Sequence, residues 1–88
     1  MVARNYRYSL KFEDVALQAI ETLPNNLRRQ VGYSIDQMQY DWSGDIKKLK
    51  GHEHHYRLRV GKLRSLFELA GNTIIIYAAK DRKDAYGR

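Results

Sequence analysis

The chain has no cysteine, a single proline and no long apolar run. Without cysteine there is neither a disulfide framework nor a thiolate metal site. A membrane-spanning helix needs about 20 consecutive apolar residues, and nothing here comes near that length. The start, Met1-Val2-Ala3-Arg4-Asn5-Tyr6, lacks the apolar core of a secretory signal. These absences set the expectation of a soluble, cytoplasmic protein with no membrane partner. At 88 residues the expectation is one domain, 1–88, with one modest core.

What the chain does have is positive charge, unevenly placed. The formal net charge is +6. From Met1 to Ile46, five Lys/Arg stand against six Asp/Glu, a net of −1; from Lys47 to Arg88, eleven stand against four, a net of +7. A basic half joined to a near-neutral half is an electrostatic footprint for a polyanion such as nucleic acid, although a solvated basic surface would read the same way.

The second half also carries the most informative pattern. Tyr56-Arg57-Leu58-Arg59-Val60-Gly61-Lys62-Leu63-Arg64 alternates charge and hydrocarbon around a Gly-Lys corner. Period-two alternation marks a half-buried strand, and Gly61-Lys62 supplies a two-residue hairpin turn. In that register Val60 faces Leu63 and Arg59 faces Arg64. Opposed side chains share one sheet face, where like charges repel. Stacked arginines at that cost point to an anion.

Elsewhere, Tyr6-Arg7-Tyr8-Ser9-Leu10 alternates as an opening strand, and the period then changes. Phe12, Val15, Ala16, Ala19, Ile20 and Leu23 fall on one helical stripe, with Glu13 and Asp14 in the dipole-favoured first turn. Pro24 ends this helix, and the proline or Asn25 opens a second, whose stripe is Leu27, Val31, Ile35, Met38 and Trp42. Lys47-Lys48-Leu49-Lys50-Gly51 reads as a basic linker. Three strands follow, the last two joined at Gly71-Asn72, with Thr73–Ala79 apolar on both faces as a central strand should be. Leu58, Val60, Leu63, Phe67, Leu69, Ile74 and Ile76 fall on one sheet face, assigned to the helices. Arg57, Arg59, Arg64, Leu66, Ile75 and Tyr77 fall on the other, left open. The expectation is an α+β fold of two layers: a helical hairpin on one face of a mainly antiparallel four-stranded sheet, in the order β-α-α-β-β-β.

Leu49-Lys50-Gly51, the Tyr56–Arg64 hairpin, and an apolar strand ending in Asp81-Arg82-Lys83-Asp84-Ala85-Tyr86 together resemble the RelE branch of the RelE/ParE toxin superfamily. The resemblance covers nearly the whole chain. It implies the toxin of a type II toxin–antitoxin pair, partnered by a cognate antitoxin, that cuts mRNA in the ribosomal A site. The substrate's own 2′-hydroxyl attacks, leaving a 2′,3′-cyclic phosphate, with no metal or cofactor. A ParE-like inhibitor of DNA gyrase and a catalytically inactive RNA-binding module are the alternatives.

Such cleavage needs a proton acceptor, cations at the crowded phosphorane and a proton donor to the leaving oxygen. By the resemblance, Arg64 stabilises the phosphate, for which a planar guanidinium fork is suited. Arg82 and Lys80 steady the phosphate or the leaving oxygen, and Tyr86 stacks on a base or trades a proton. Lys47, Lys48 and Lys50 contact RNA, and Arg57 and Arg59 hold its backbone. Each has a plainer reading: Arg64 as a surface partner of Glu68 or Asp81, Arg82 and Lys80 as partners of Asp81 and Asp84, Tyr86 as an anchor for the tail, the lysines as a solvated run. Histidine is a common metal ligand, but Gly51-His52-Glu53-His54-His55 is too short to wrap an ion, so the run is assigned to a solvated loop, with a histidine base, as in some relatives, as the alternative. Tyr6, Tyr8, Tyr33, Tyr40 and Trp42 are assigned to core or antitoxin-facing surface. Asp81 departs from the family pattern, where a histidine or basic residue precedes the arginine, and this leaves the general acid and base open.

Overall fold

The computed structural model describes residues 6–81. Seven elements follow in order: β1 (Ser9–Phe12), α1 (Asp14–Glu21), α2 (Asn25–Asp41), β2 (Asp45–Lys48), β3 (His55–Val60), β4 (Leu63–Ala70) and β5 (Thr73–Asp81). The strands form one sheet in the spatial order β1-β5-β4-β3-β2, parallel between β1 and β5 and antiparallel elsewhere. Both helices contribute to a core on one face. The α+β class and two-layer arrangement are as expected, but the sheet has five strands, not four.

The additional strand is β2, inside the segment assigned to a basic linker. Three of its four residues (Asp45, Lys47 and Lys48) are charged, so no apolar alternation marks it. It forms because β3 offers a ladder edge. Asp45 opposes Arg59 and Lys47 opposes Arg57, and the Leu49 N–H donates to the His55 carbonyl at 2.8 Å. A short lysine-bearing edge strand also discourages further strand addition. The first strand likewise lies two to three residues later than the alternation suggested. Its register, Ser9 with Thr73 through Phe12 with Ile76, makes β5 an interior strand with neighbours on both sides, in keeping with its apolar run.

Helix α1 is shorter than its stripe. Ala16 and Ile20 are buried, Ala19 and Leu23 are half-buried, and Val15 is 66% exposed. The Glu13 N–H donates to the Ile76 carbonyl at 2.9 Å, tying the helix start to the central strand. Pro24 is the N-cap of α2, where its missing N–H costs nothing. Val31, Ile35 and Met38 are buried on its inner face. Trp42, placed on this stripe by spacing, is instead the left-handed C-cap (φ 64°), its N–H donating to the Met38 carbonyl at 2.9 Å. A bulky residue there is strained. Packing offsets this: the indole lies 5.2 Å from the rings of Tyr8 and Tyr56 and 5.6 Å from Phe67. Two residues on, Gly44 (φ 127°) passes so close to β3 that an added Cβ would stand 3.0 Å from Leu58 Cδ1.

The β3–β4 hairpin has the register read from the sequence, Val60 with Leu63 and Arg59 with Arg64, around Gly61 in the left-handed region (φ 60°). Leu58, Val60, Leu63, Phe67, Ile74 and Ile76 are all buried beneath the helices, and Leu69 packs at the margin. One irregularity matters. Phe67 pairs with Ile76 but Leu66 pairs with Ala78, so Tyr77 is an extra residue in β5. This bulge reverses the facing of everything after it. Ala79 turns to the core, and Lys80 turns to the open face opposite Arg64. No helix among the described residues is long and apolar enough to cross a membrane.

Phe67 is fully buried and touches two of the aromatic rings. Phe67→Ala is expected to lower the unfolding free energy by about 3–5 kcal/mol, whereas Val15→Ala should change it by less than about 0.5 kcal/mol. Urea denaturation of both variants measures this. Equal losses would contradict the assigned core.

Candidate functional site

The open face of the sheet is built in rungs. Asp45, Arg59, Arg64 and Lys80 succeed one another across β2, β3, β4 and β5, and Lys47, Arg57, Leu66 and Ala78 form the next rung. Opposed residues share a face, so three cations lie side by side with one carboxylate at the end. Beside them opens a cleft of about 580 Å³, lined by Lys47, Lys48, Leu49, Lys50, Arg57, Arg64, Leu66 and Lys80. Among the described residues its charged lining is all cationic. Cations converging on a concave, partly apolar surface focus a positive potential and raise the local concentration of anions.

Within this cluster the arginines differ. Arg64 is only 8% exposed and lines the cleft. The Arg57 side chain is 16% exposed and lines the cleft with its Nη1 3.6 Å from Asp45 Oδ1. That Nη1 is buried and has no hydrogen-bond partner among the described residues. Arg59, two residues along the same face, is exposed, donates from Nε to Asp45 Oδ2 at 2.9 Å, and does not line the cleft. Asp45 therefore neutralises the β2 flank of the arginine rung, where it meets Arg57 and Arg59.

Of the residues singled out in the sequence, Arg64, Lys80, Lys47, Lys48, Lys50 and Arg57 come together on the cleft. Arg59 stands aside with Asp45. Arg82 and Tyr86 lie outside the described residues. Asp45 and Leu49 were not foreseen as parts of this site, and Leu66 was placed on the open face without a role in it. Asp45 could have been found only by knowing β2, and the facing of Lys80 only by knowing the bulge.

The third rung carries a different set of groups. His55 opposes Glu68, and the bulged Tyr77 brings its hydroxyl to 3.1 Å from His55 Nδ1. The His52 ring stacks on His55 at 4.9 Å and 29°. Burial, with the Glu68 carboxylate second, pushes the Tyr77 phenol above its ordinary value of 10.0 and holds it neutral. The His54 ring lies on the surface, its Nε2 3.6 Å from Glu53 Oε1. Among the described residues no group of three or more His, Cys, Asp or Glu side chains is placed to hold a metal ion.

No protein-family model matches the chain. Toxin RelE3 of Methanocaldococcus jannaschii is 32% identical over 80 residues, which span 85% of this chain and 91% of that protein. The chain belongs to the RelE toxin family. The fold of this RelE-family chain agrees. The toxin in a crystal structure of a RelB–RelE antitoxin–toxin complex from Methanococcus jannaschii superposes with a TM-score of 0.74 at 29% identity, covering 88% of this chain and 95% of that one. Isolated RelE of E. coli superposes at 0.75 over 90% of each chain, and at 18% identity the likeness is one of fold alone.

Because the Tyr77 phenol is raised, its stabilising contribution is complete below pH about 10 and is lost as pH climbs through the folded-state value. The wild-type protein should therefore lose stability above pH 10 relative to Tyr77→Phe, which has no proton to lose there. Urea unfolding of both proteins between pH 8 and 11.5 measures the difference. A gap that stays constant with pH would contradict the assignment.

Proposed function

We propose that this RelE-family chain is a ribosome-dependent endoribonuclease. It cuts mRNA in the A site and is held inactive by an antitoxin. The observation that carries this reading is the convergence of six cations on one cleft, with Arg64 and Lys80 directly opposed on neighbouring strands. Family membership supports the toxin assignment, and a structural neighbour from Methanococcus jannaschii was crystallised as a RelB–RelE antitoxin–toxin complex.

In this reading the scissile phosphodiester lies between Arg64 and Lys80. The 2′-oxygen of the preceding ribose attacks phosphorus, and the P–O5′ bond breaks. The products are a 2′,3′-cyclic phosphate and a free 5′-hydroxyl. One proton leaves the 2′-hydroxyl and one reaches the departing oxygen, so the step is balanced without an added reactant. The phosphorane bears more negative charge on its equatorial oxygens than the starting diester, so fixed cations favour it over the ground state. Arg64 is suited to this role because it is already desolvated and needs little reorganisation. Arg57, Lys47, Lys48 and Lys50 hold flanking phosphates, and Arg59 shares this work when a phosphate displaces Asp45. Arg82 and Tyr86 retain their proposed roles at the leaving oxygen and in stacking or proton transfer.

Incubating the protein with programmed ribosomes should cut mRNA within A-site codons, as read by primer extension. Arg64→Ala should slow that cleavage roughly 10²–10³-fold, the loss typical of one oxyanion-stabilising donor. Intact mRNA at micromolar protein would overturn the reading, and trapped DNA–gyrase complexes under the same conditions would replace it.

Asp45 competes with phosphate for two guanidinium groups. Asp45→Asn should bind single-stranded RNA more tightly, with the slope of log affinity against log salt steeper by about 0.7 per phosphate gained. The exposed Arg59 pair it removes is worth at most about 1 kcal/mol, and the Arg57 contact is long at 3.6 Å, so folding should survive. Salt titration of an RNA oligonucleotide measures both, and an unchanged slope would count against this role.

A further inference from the structure

The three rings His52, His55 and Tyr77 sit beside the cationic cleft without belonging to it. His55 lies two residues before Arg57 on β3, about 6.8 Å along the strand, and on the same sheet face. Its carbonyl accepts from the Leu49 N–H at 2.8 Å, and Leu49 and Lys50 line the cleft. The loop bearing His52 is therefore anchored at the cleft margin. His55 is half-buried and fixed from below, with Nδ1 3.1 Å from the Tyr77 hydroxyl and ring centroids 5.4 Å apart. His52 is exposed yet ordered against it, with ring centroids 4.9 Å apart and planes 29° from parallel.

This arrangement covers one face of the His52 ring and turns the other to solvent. A core-packing role does not account for it, because His52 buries little. Metal binding does not account for it either, because no suitable group of ligands is assembled there among the described residues. What a supported flat ring beside a phosphate-gripping cleft does fit is the base of a single-stranded nucleotide. Binding sites for single strands combine these two elements, a basic track for the backbone and rings on which bases stack.

We infer that the outer face of His52, backed by His55 and Tyr77, is a nucleobase-stacking subsite. It holds the base of the nucleotide whose phosphate lies against Arg57 and Lys50. This rests on the RNA reading above and extends it from phosphate contacts to a base contact. The subsite is tolerant of base identity, since every base offers a π-face. Glu68, opposite His55, repels a phosphate from this rung and so directs the backbone toward the lysines.

The test uses a single-stranded RNA hexamer carrying 2-aminopurine at each position in turn, titrated into the full chain at several salt concentrations. Wild-type protein should quench the fluorescence at one position through stacking. His52→Ala should relieve that quench and weaken binding roughly 5- to 140-fold, the range for loss of one base–aromatic stack. Its salt slope should be unchanged, because no phosphate contact is removed. His52→Phe should restore both quench and affinity, which a purely structural role for His52 would not require. Salt-dependent binding with equal affinity and quench in wild type and His52→Ala overturns the stacking subsite while leaving the RNA reading standing. Absence of any salt-dependent binding by the wild type overturns the RNA reading, and the subsite with it.

Discussion

The two-for-one step at Tyr77 is the constraint on which the rest of the molecule depends. Before it, β5 feeds Ile74 and Ile76 to the core and pairs in parallel with β1. With strict alternation Lys80 would follow them beneath the helices, where an unpaired ammonium costs several kcal/mol. The extra residue lets one strand serve both demands. Its first half is a hydrophobic centrepiece, and its end presents a cation directly opposite Arg64. Tyr77, on the open face as alternation already requires, meets His55 just before the step, so the ring stack lies one rung from where the cation emerges.

Placing Arg59, Arg64 and Lys80 in line opposes the ordinary preference for unlike pairs across a sheet. The fold tolerates it for two reasons. The core on the other face is continuous, with Phe67, Leu58, Ile74 and Ile76 fully buried directly behind the charged surface. In addition, Asp45 on the edge strand offsets part of the repulsion through both Arg57 and Arg59. Stability given up for a charged surface is a common trade at functional sites. Here the helices and the central strands carry the folding energy, which frees the opposite face for a repulsive arrangement.

Much of this was legible in the sequence. The helical stripe of Val31, Ile35 and Met38, the proline start of α2, both hairpin turns and the assignment of residues to sheet faces all follow from local periodicity and turn chemistry. What escaped depends on nonlocal partners. Strand β2 has one apolar residue, Ile46, and exists because β3 needed a neighbour. Trp42 continues the helical spacing, but three aromatic rings from distant segments hold it in a left-handed cap. Val15 fits its stripe, yet α1 is only two turns long and packs through Ala16 and Ile20. The bulge leaves no local mark in a run as uniformly apolar as Thr73–Ala79.

Arg57 and Arg59 show the same limit at the level of function. They are two residues apart, on one strand and one face, and alternation gives them identical status. The difference between them comes from β2. Asp45 sits directly across from Arg59 and holds its Nε at 2.9 Å, while Arg57 reaches the same carboxylate only at 3.6 Å and opposes Lys47 in the ladder. An anion entering the cleft would meet Arg57 held only by a long contact to Asp45, and Arg59 only by breaking a well-formed ion pair. The edge strand that periodicity could not reveal is what sorts two equivalent arginines into one that faces the cleft and one held in reserve at its rim. Chemistry on this face is assigned by the neighbours each strand acquires, more than by the strand's own sequence.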